Sequence, residues 1–436
     1  TEMAQNRQQT GAHNANDGDD RAMQHMSLHL DWQATPALFV SNKLYFNHYD
    51  DDRRVTFSNS AAASLNNLPR QRRVWDEDQT GLMSTATWRA SDALTVDGGI
   101  QIERQKNLYQ RYRYAFAVPT QFSNPTHTSN DDRYTLNNVG VYAQAIFKAT
   151  DQLKIIPGLR LDKFSGRTTL SPSGATGALQ DYGWIKQPKL SMVYSVNDAT
   201  SVYANWGRTF QILTGSRAPA YITSASQATF APSINTGTEL GVKYKPHPRT
   251  DLRVAFWQQD ATDEVANMPS TGTNVSLGET RRKGIDLQAS TRIGSAVTLW
   301  ASHSVQEAKV RRAFTASGTS LAGKEVFSTP RHITNAGVDY QATEALRLGL
   351  QVRAQGSYFI DNLNAQGKFG DFVLVDFNAR YALTKAVSVD LQVKNLTNRK
   401  FAYVWWDNFF WPAGSAQPMY SPGAGRSAFV SLNVKW

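Results

Sequence analysis

The chain alternates apolar and polar residues over much of its length. Its last stretch, AGRSAFVSLNVKW, puts Ala428, Val430, Leu432, Val434 and Trp436 on one face and Phe429, Ser431, Asn433 and Lys435 on the other. Successive side chains of a strand point to opposite sides, so this period of two predicts a strand with one apolar and one polar face. Segment 26–33 repeats the pattern, with Met26, Leu28, Leu30 and Trp32 set against Ser27, His29, Asp31 and Gln33. Segment 373–381 sets Val373, Val375, Phe377, Ala379 and Tyr381 against Asp376, Asn378 and Arg380, and segment 387–394 sets Val387, Val389, Leu391 and Val393 against Ser388, Asp390, Gln392 and Lys394. Charges on the inner face are costly in a dry core and natural in a wet lumen. A strand that ends the chain on an aromatic also fits a wall with lipid outside.

The links between these segments fall into two kinds. Short ones lie at 33–38, 90–94, 149–153, 196–200, 245–250, 293–297, 341–346 and 383–387, each with turn residues such as Asp, Asn, Pro, Gly or Thr. Long polar ones run roughly 50–73, 118–131, 165–183, 211–234, 259–278, 311–326, 359–370 and 398–423. Long and short alternate, which is the layout of a transmembrane barrel with its long loops outside. The reading is all-β, a transmembrane antiparallel β-barrel of about 17 strands. Residues 1–24 read as an extracellular loop or disordered end, and residues 25–436 as barrel. An odd number is awkward for a one-chain bacterial barrel, whose strand count is even. A first strand that starts on the long-loop side is what a larger barrel leaves when its first strands are missing.

Composition changes the picture in three places. Mean hydropathy is -0.46, and no run of about 18 apolar residues offers a transmembrane helix. A barrel evades that test, because only alternate residues face lipid. There are no cysteines, which excludes disulfides, thiolate metal sites and cysteine nucleophiles. The formal charge of +10 comes without a basic helix, zinc spacing or helix-turn-helix pattern, which argues against nucleic acid and for an anionic ligand or membrane surface. The first 20 residues are polar and carry no apolar signal-peptide region.

Four stretches carry a family resemblance. ELGVKYK at 239–245, followed by a strand closing on Asp263, Glu264 and Val265, is similar to "E-x-G-x-K" and a strand ending "D-E-I/V". GETRRKGIDLQA at 278–289 resembles "G-x-x-x-x-x-G-x-E", with Asp286 in place of Glu. TPRH at 329–332 resembles a "P-x-H" strand start, and KNLTNRK at 394–400 resembles "N-L-T/D-x-x-Y", with Phe401 in place of Tyr. PGAGR at 422–426 then matches the "P-G-x-x-R" start of a last strand. Their order over residues 235–436 resembles the C-terminal part of the TonB-dependent outer-membrane receptors of siderophore type. Residues 25–234 match mainly by strand and loop pattern. The resemblance implies a 22-stranded barrel with an N-terminal plug and a TonB box ahead of it. Neither the plug nor the TonB box has a counterpart here, so the chain reads as a fragment or one piece of a split receptor.

The candidate ligand residues sit in the long-loop segments. The loop 402–423 carries Trp405, Trp406, Phe409, Phe410, Trp411 and Tyr420, either a stacking wall for a ligand or an interfacial girdle. Arg208 and Gln211, at the top of a segment resembling the family's "G-x-x-F-Q/R-x-P", with Arg217 and Tyr221 beyond, could meet a negatively charged chelate; lumen salt bridges are the alternative. YQRYRY at 109–114 puts Tyr109, Arg111 and Arg113 on one face and Tyr112 on the other. It could grip a catecholate or hydroxamate through cation–π contacts and hydrogen bonds. His25 and His29 share an inner face, but no histidine spacing makes a metal or haem site. The Asp50, Asp51 and Asp52 run reads as a solvated loop, with Ca²⁺ as its alternative. No catalytic set is evident.

The resemblance implies an outer-membrane receptor, not an enzyme, that imports a scarce large solute and needs no cofactor. A ferric siderophore or similar small anionic chelate is the first cargo, with haem, cobalamin, copper or an oligosaccharide as alternatives. The implied partners are TonB, outer-membrane lipid and lipopolysaccharide, and no nucleic acid. A passive plug-less pore, an outer-membrane hydrolase using His48 and Asp50, and a soluble β-protein are the readings from other classes.

Overall fold

The computed structural model describes residues 17–56, 70–114, 125–213, 221–224, 231–268, 273–315, 317–407 and 417–435. No helix occurs among them. The strands are β1 (Gly18–Thr35), β2 (Leu38–Thr56), β3 (Arg70–Arg89), β4 (Leu94–Tyr114), β5 (Pro125–Lys148), β6 (Leu153–Thr169), β7 (Thr176–Leu179) and β8 (Ile185–Asn197). There follow β9 (Thr200–Gln211), β10 (Tyr221–Ile222), β11 (Ser233–His247), β12 (Thr250–Met268), β13 (Thr273–Ile293), β14 (Val297–Arg312), β15 (His332–Gln341) and β16 (Leu346–Gln355). The chain ends with β17 (Tyr358–Phe359), β18 (Lys368–Phe369), β19 (Phe372–Ala382), β20 (Val387–Lys394), β21 (Ala402–Asp407), β22 (Gln417–Pro422) and β23 (Ser427–Val434).

Nineteen of these form one antiparallel sheet. Each long strand pairs with the next long strand in the chain, and the short β7 and β10 pair with each other beside β6. β17–β18 and β21–β22 are separate hairpins. β1 starts at Gly18, well before the expected start at 25. Its edge and that of β23 are not paired with each other among the described residues.

All the short links read from the sequence fall at reversals between paired strands. Four share one device. Ser91, Thr150, Thr343 and Thr384 each accept, through the side-chain hydroxyl, the amide three residues on, at 3.0–3.1 Å. A hydroxyl that satisfies a turn amide stabilises the reversal locally.

The two faces of the wall are sorted as the alternation demands. Met26, Leu28, Leu30 and Trp32 are exposed on one face, with Leu28 at 68%. Register places Leu28 opposite Leu44, Leu44 opposite Leu82, Leu82 opposite Ile102 and Ile102 opposite Val139. Directly opposite residues share a face, so this is one continuous apolar band. The other face is polar: Arg160 binds Asp162 and Gln101, and Arg253 bridges Glu239 and Tyr203. On it, aromatic rings lie against glycines of the neighbouring strand, Tyr45 on Gly81, Tyr203 on Gly241 and Trp300 on Gly337. The missing β-carbon lets each ring lie along the wall.

A strand needs about 9–11 residues to cross the hydrocarbon layer. β4 has 21 residues and β5 has 24, so both project well beyond the apolar band on the long-loop side. Most of the segment expected as a loop at 50–73 is thus strand where it is described, and the Asp50, Asp51 and Asp52 run lies in β2.

The long connections are partly packed. The chain after β14 folds back on it, with Val310 N donating to Lys324 O at 2.9 Å and Val326 N to Ala308 O at 3.0 Å. This buries Leu277, Val310, Leu321, Val326 and Phe327 together. Glu325 there accepts from Arg331 at 2.6 Å and from Lys368 at 3.0 Å. Tyr358, Ile360 and Val404 form a second small core that seats the β21–β22 hairpin.

Candidate functional site

The projecting parts of β1 to β5 carry side chains in rows on the polar face of the sheet. Cross-strand register gives one row as Asp19, Arg53, Arg73, Arg111 and Asn130. The next row toward the band is Arg21, Asp51, Trp75, Tyr109 and Asp132, and the next is Met23, Tyr49, Glu77, Asn107 and Tyr134. Gln71 lies opposite Arg113 above them. Five arginines from four strands, Arg21, Arg53, Arg73, Arg111 and Arg113, therefore share one face.

Local contacts fix the cluster. Arg73 donates from Nε and Nη2 to Oε1 of Gln71 at 3.1 and 3.0 Å. Trp75 and Tyr109 rings lie 5.3 Å apart beneath. Burial pushes the Arg73 guanidinium below its usual range, and the Arg111 and Arg53 charges push the same way while Tyr109 opposes. A bound anion would reverse that direction. Asp51 is buried, accepts from the Tyr49 hydroxyl at 2.7 Å, and lies 3.5 Å from Arg21. Burial and the neighbouring Asp19 carboxyl raise Asp51 above the ordinary carboxylate range, with Tyr49 and Arg21 opposing.

The expected site residues scatter around this cluster. Tyr109, Arg111 and Arg113 fall on the inner face. Tyr112 falls on the outer one, its ring 6.0 Å from the Arg72 guanidinium, and Arg72 itself grips Asp52 at 2.6–3.1 Å. Arg208 shares the face of Trp206 and lies opposite Thr236 in β11. That is the outward face, because Trp206 stands opposite Leu190 in the apolar band, so Arg208 does not reach into the mouth as expected. Gln211 lies on the inner face, opposite Ser233. Tyr221 is 1% exposed, and its hydroxyl donates to the Thr135 carbonyl oxygen at 3.0 Å. It packs with Leu136 and Leu179, which makes it a support for the wall and not a ring offered to a ligand. Burial raises its hydroxyl well above the usual range.

In the aromatic loop, Trp405 and Trp406 lie in β21, opposite Met419 and Pro418. Tyr420 is exposed in β22. Phe409, Phe410, Trp411 and Arg217 lie outside the described residues. Arg53, Arg73 and Trp75 were not singled out in the sequence, since only register brings them beside 109–113. On the outward face, His48, Asp76 and Asp78 place one ligand atom each within 4.8 Å of one another.

The sequence pattern described as "TonB dependent receptor-like, beta-barrel" matches residues 3–396. The ferrichrome outer membrane transporter/phage receptor of Escherichia coli (strain K12) is 24% identical over 348 residues, covering 73% of this chain and 44% of that protein. The ferrioxamine B receptor of Salmonella typhimurium (strain SL1344) is 22% identical over 320 residues, covering 70% of this chain and 43% of that protein. The chain therefore spans less than half the length of these two curated relatives. Among solved structures, unliganded ferric citrate transporter FecA aligns with a TM-score of 0.78 at 17% identity, over 97% of this chain and 62% of that one. The siderophore receptor PiuA from Acinetobacter baumannii aligns with a TM-score of 0.76 at 15% identity, over 96% of this chain and 65% of that one. Likeness at such identity carries the fold.

Proposed function

The chain belongs to the TonB-dependent receptor β-barrel family, and from that premise we propose that it forms the barrel wall of an outer-membrane receptor for an anionic ferric chelate. The observation that carries this is the row of Arg53, Arg73 and Arg111 on the inner wall, with Arg113 above and the Trp75–Tyr109 pair below. Guanidinium groups offer planar paired donors that match the oxygens of a carboxylate or catecholate. The rings add a flat surface that favours cations and π-systems at the edge of the ligand. Similar proteins named as a ferrichrome transporter, a ferrioxamine B receptor and a ferric citrate transporter support iron as the cargo. Nothing in this reading makes or breaks a bond in the ligand. Transport energy comes from TonB, acting on a plug in the whole receptor. Outward-facing Arg104, Lys106, Arg133 and Arg167 line one recess above the apolar band, which supports contact with lipopolysaccharide phosphates.

The test is iron uptake by a strain stripped of its own ferric-siderophore receptors and expressing the protein. It is offered ferric carboxylate, catecholate and hydroxamate chelates, with and without working TonB. TonB-dependent uptake of an anionic chelate, reduced at least about tenfold by Arg73→Ala or Arg111→Ala, is the expected result. Equal iron accumulation with and without the protein for every chelate overturns it.

A further inference from the structure

His48 on β2 and Asp76 and Asp78 on β3 converge on the outward face of the wall, away from the arginine row. Register sets His48 opposite Asp78 and Asp50 opposite Asp76. Nδ1 of His48 lies 3.0 Å from Oδ1 of Asp78 and 4.0 Å from Oδ1 of Asp76. Around an ion with ligand bonds of about 2.1 Å, two donors stand up to about 4.2 Å apart, so small rotations bring all three donors onto one centre. Asp50 and Asp76 are like charges directly opposite each other, which is unfavourable in an antiparallel pair, and Asp78 adds a third carboxylate on that face. From the neighbouring strands, Gln24 faces His48, Ala22 faces Asp50, Leu108 faces Asp76 and Lys106 faces Asp78. Lys106 brings positive charge beside Asp78, and Arg104, Arg133 and Arg167 line the same recess as Asp76 and Asp78. The row beneath holds Met26, Phe46 and Thr80, and the apolar band of Leu28, Leu44 and Leu82 follows.

We propose that His48, Asp76 and Asp78 form a binding site for a first-row divalent cation of the zinc class, in the first polar row above the apolar band. Imidazole with carboxylates suits Zn²⁺, Co²⁺ or Ni²⁺, whereas Ca²⁺ and Mg²⁺ take oxygen ligands. The ion ties β2 to β3 where both leave the band, and its remaining coordination position faces outward to water.

The test uses protein purified from outer membranes in detergent, stripped with a chelator and titrated with Zn²⁺ by calorimetry. The visible spectrum of Co²⁺ reports coordination. One site is expected, unaffected by equimolar Ca²⁺ or Mg²⁺. His48→Gln and Asp76→Asn should each weaken it at least about tenfold, and Arg73→Ala should leave it unchanged. Zn²⁺ should raise the melting temperature of the wild type and not of His48→Gln, since a ligand that binds only the folded state stabilises it. Absence of Zn²⁺ binding by the folded wild type, or equal binding in His48→Gln and Asp76→Asn, overturns the proposal. Because the cation site and the arginine row lie on opposite faces, failure of either leaves the other standing.

Discussion

At the scale of single residues, the mouth is defined by charge held in rows. Arg73 is flanked by Arg53 and Arg111 and bonded to Gln71. Arg73→Lys keeps the charge but loses the planar fork, so chelate affinity should fall by less than for Arg73→Ala, and a binding isotherm for both variants checks the order. Glu77, two residues from Trp75 on the same face, makes a prediction about pH. Burial raises its carboxyl above the ordinary range, and the hydrogen bond with Tyr134 opposes. With the folded value raised, the folded state holds the proton more tightly than the unfolded chain. Stability therefore falls as pH rises from the unfolded value through the folded one, then levels off. Glu77→Gln keeps an oxygen acceptor for Tyr134 and removes the charge. Its melting temperature should exceed that of the wild type near neutral pH and match it in acid below the carboxylate range; the reverse order would show that the charged form is favoured there. Alternation alone put Arg111, Arg113 and Tyr109 on one face. Arg53 and Arg73 were illegible because their row depends on which residues of β2, β3 and β4 stand opposite each other, and a single sequence does not state a register.

At the scale of elements, the turns were the most legible part and the long connections the least. A turn is specified by a few adjacent residues, such as Thr150 accepting the amide of Leu153, so its signal is local. The fold-back after β14 is different. Leu321, Val326 and Phe327 look like scattered apolar residues in a polar loop until they meet Leu277 and Val310 from other strands. The β10 strap shows the same limit. Its place after a segment resembling the family's ligand-mouth strand marks Tyr221 as a ligand contact, yet it is held under β5 by the Thr135 carbonyl. Tyr221→Phe should cost about 1 kcal/mol through that hydrogen bond, and Tyr221→Ala about 3–5 kcal/mol through the lost packing. Neither substitution should change chelate affinity in protein that is still folded, which a paired melting and binding measurement tests. The glycine–aromatic pairs make a sharper element-level case. A side chain at Gly241 would meet the Tyr203 ring, and that ring carries the hydroxyl to which Arg253 donates at 2.8 Å. Gly241→Val should therefore destabilise the sheet by about 1–3 kcal/mol through overpacking.

At the scale of the molecule, the sorting of faces was written in the alternation of each strand, while closure of the wall was not. Met26, Leu28, Leu30 and Trp32 line an outward stripe on β1, and Val430 and Leu432 do the same on β23. Both strands are edges among the described residues. In hydrocarbon, no water is present to satisfy the N–H and C=O groups of an edge, and each unsatisfied group costs several kcal/mol. The two edges must therefore find partners in the membrane, either each other or further strands. We propose that further strands stand between them; this chain covers 62% and 65% of the two solved structures. The chain contains no cysteine, so introduced pairs report proximity without background. Asp31→Cys with Ser41→Cys joins residues that stand opposite each other in β1 and β2, and oxidation in outer membranes should cross-link them readily. Asp31→Cys with Ser431→Cys joins the two edges at the short-turn end and should stay reduced in the whole protein under the same oxidant. Cross-linking of that edge pair as readily as the control pair would mean that β1 and β23 close on each other and that the described strands complete the wall alone.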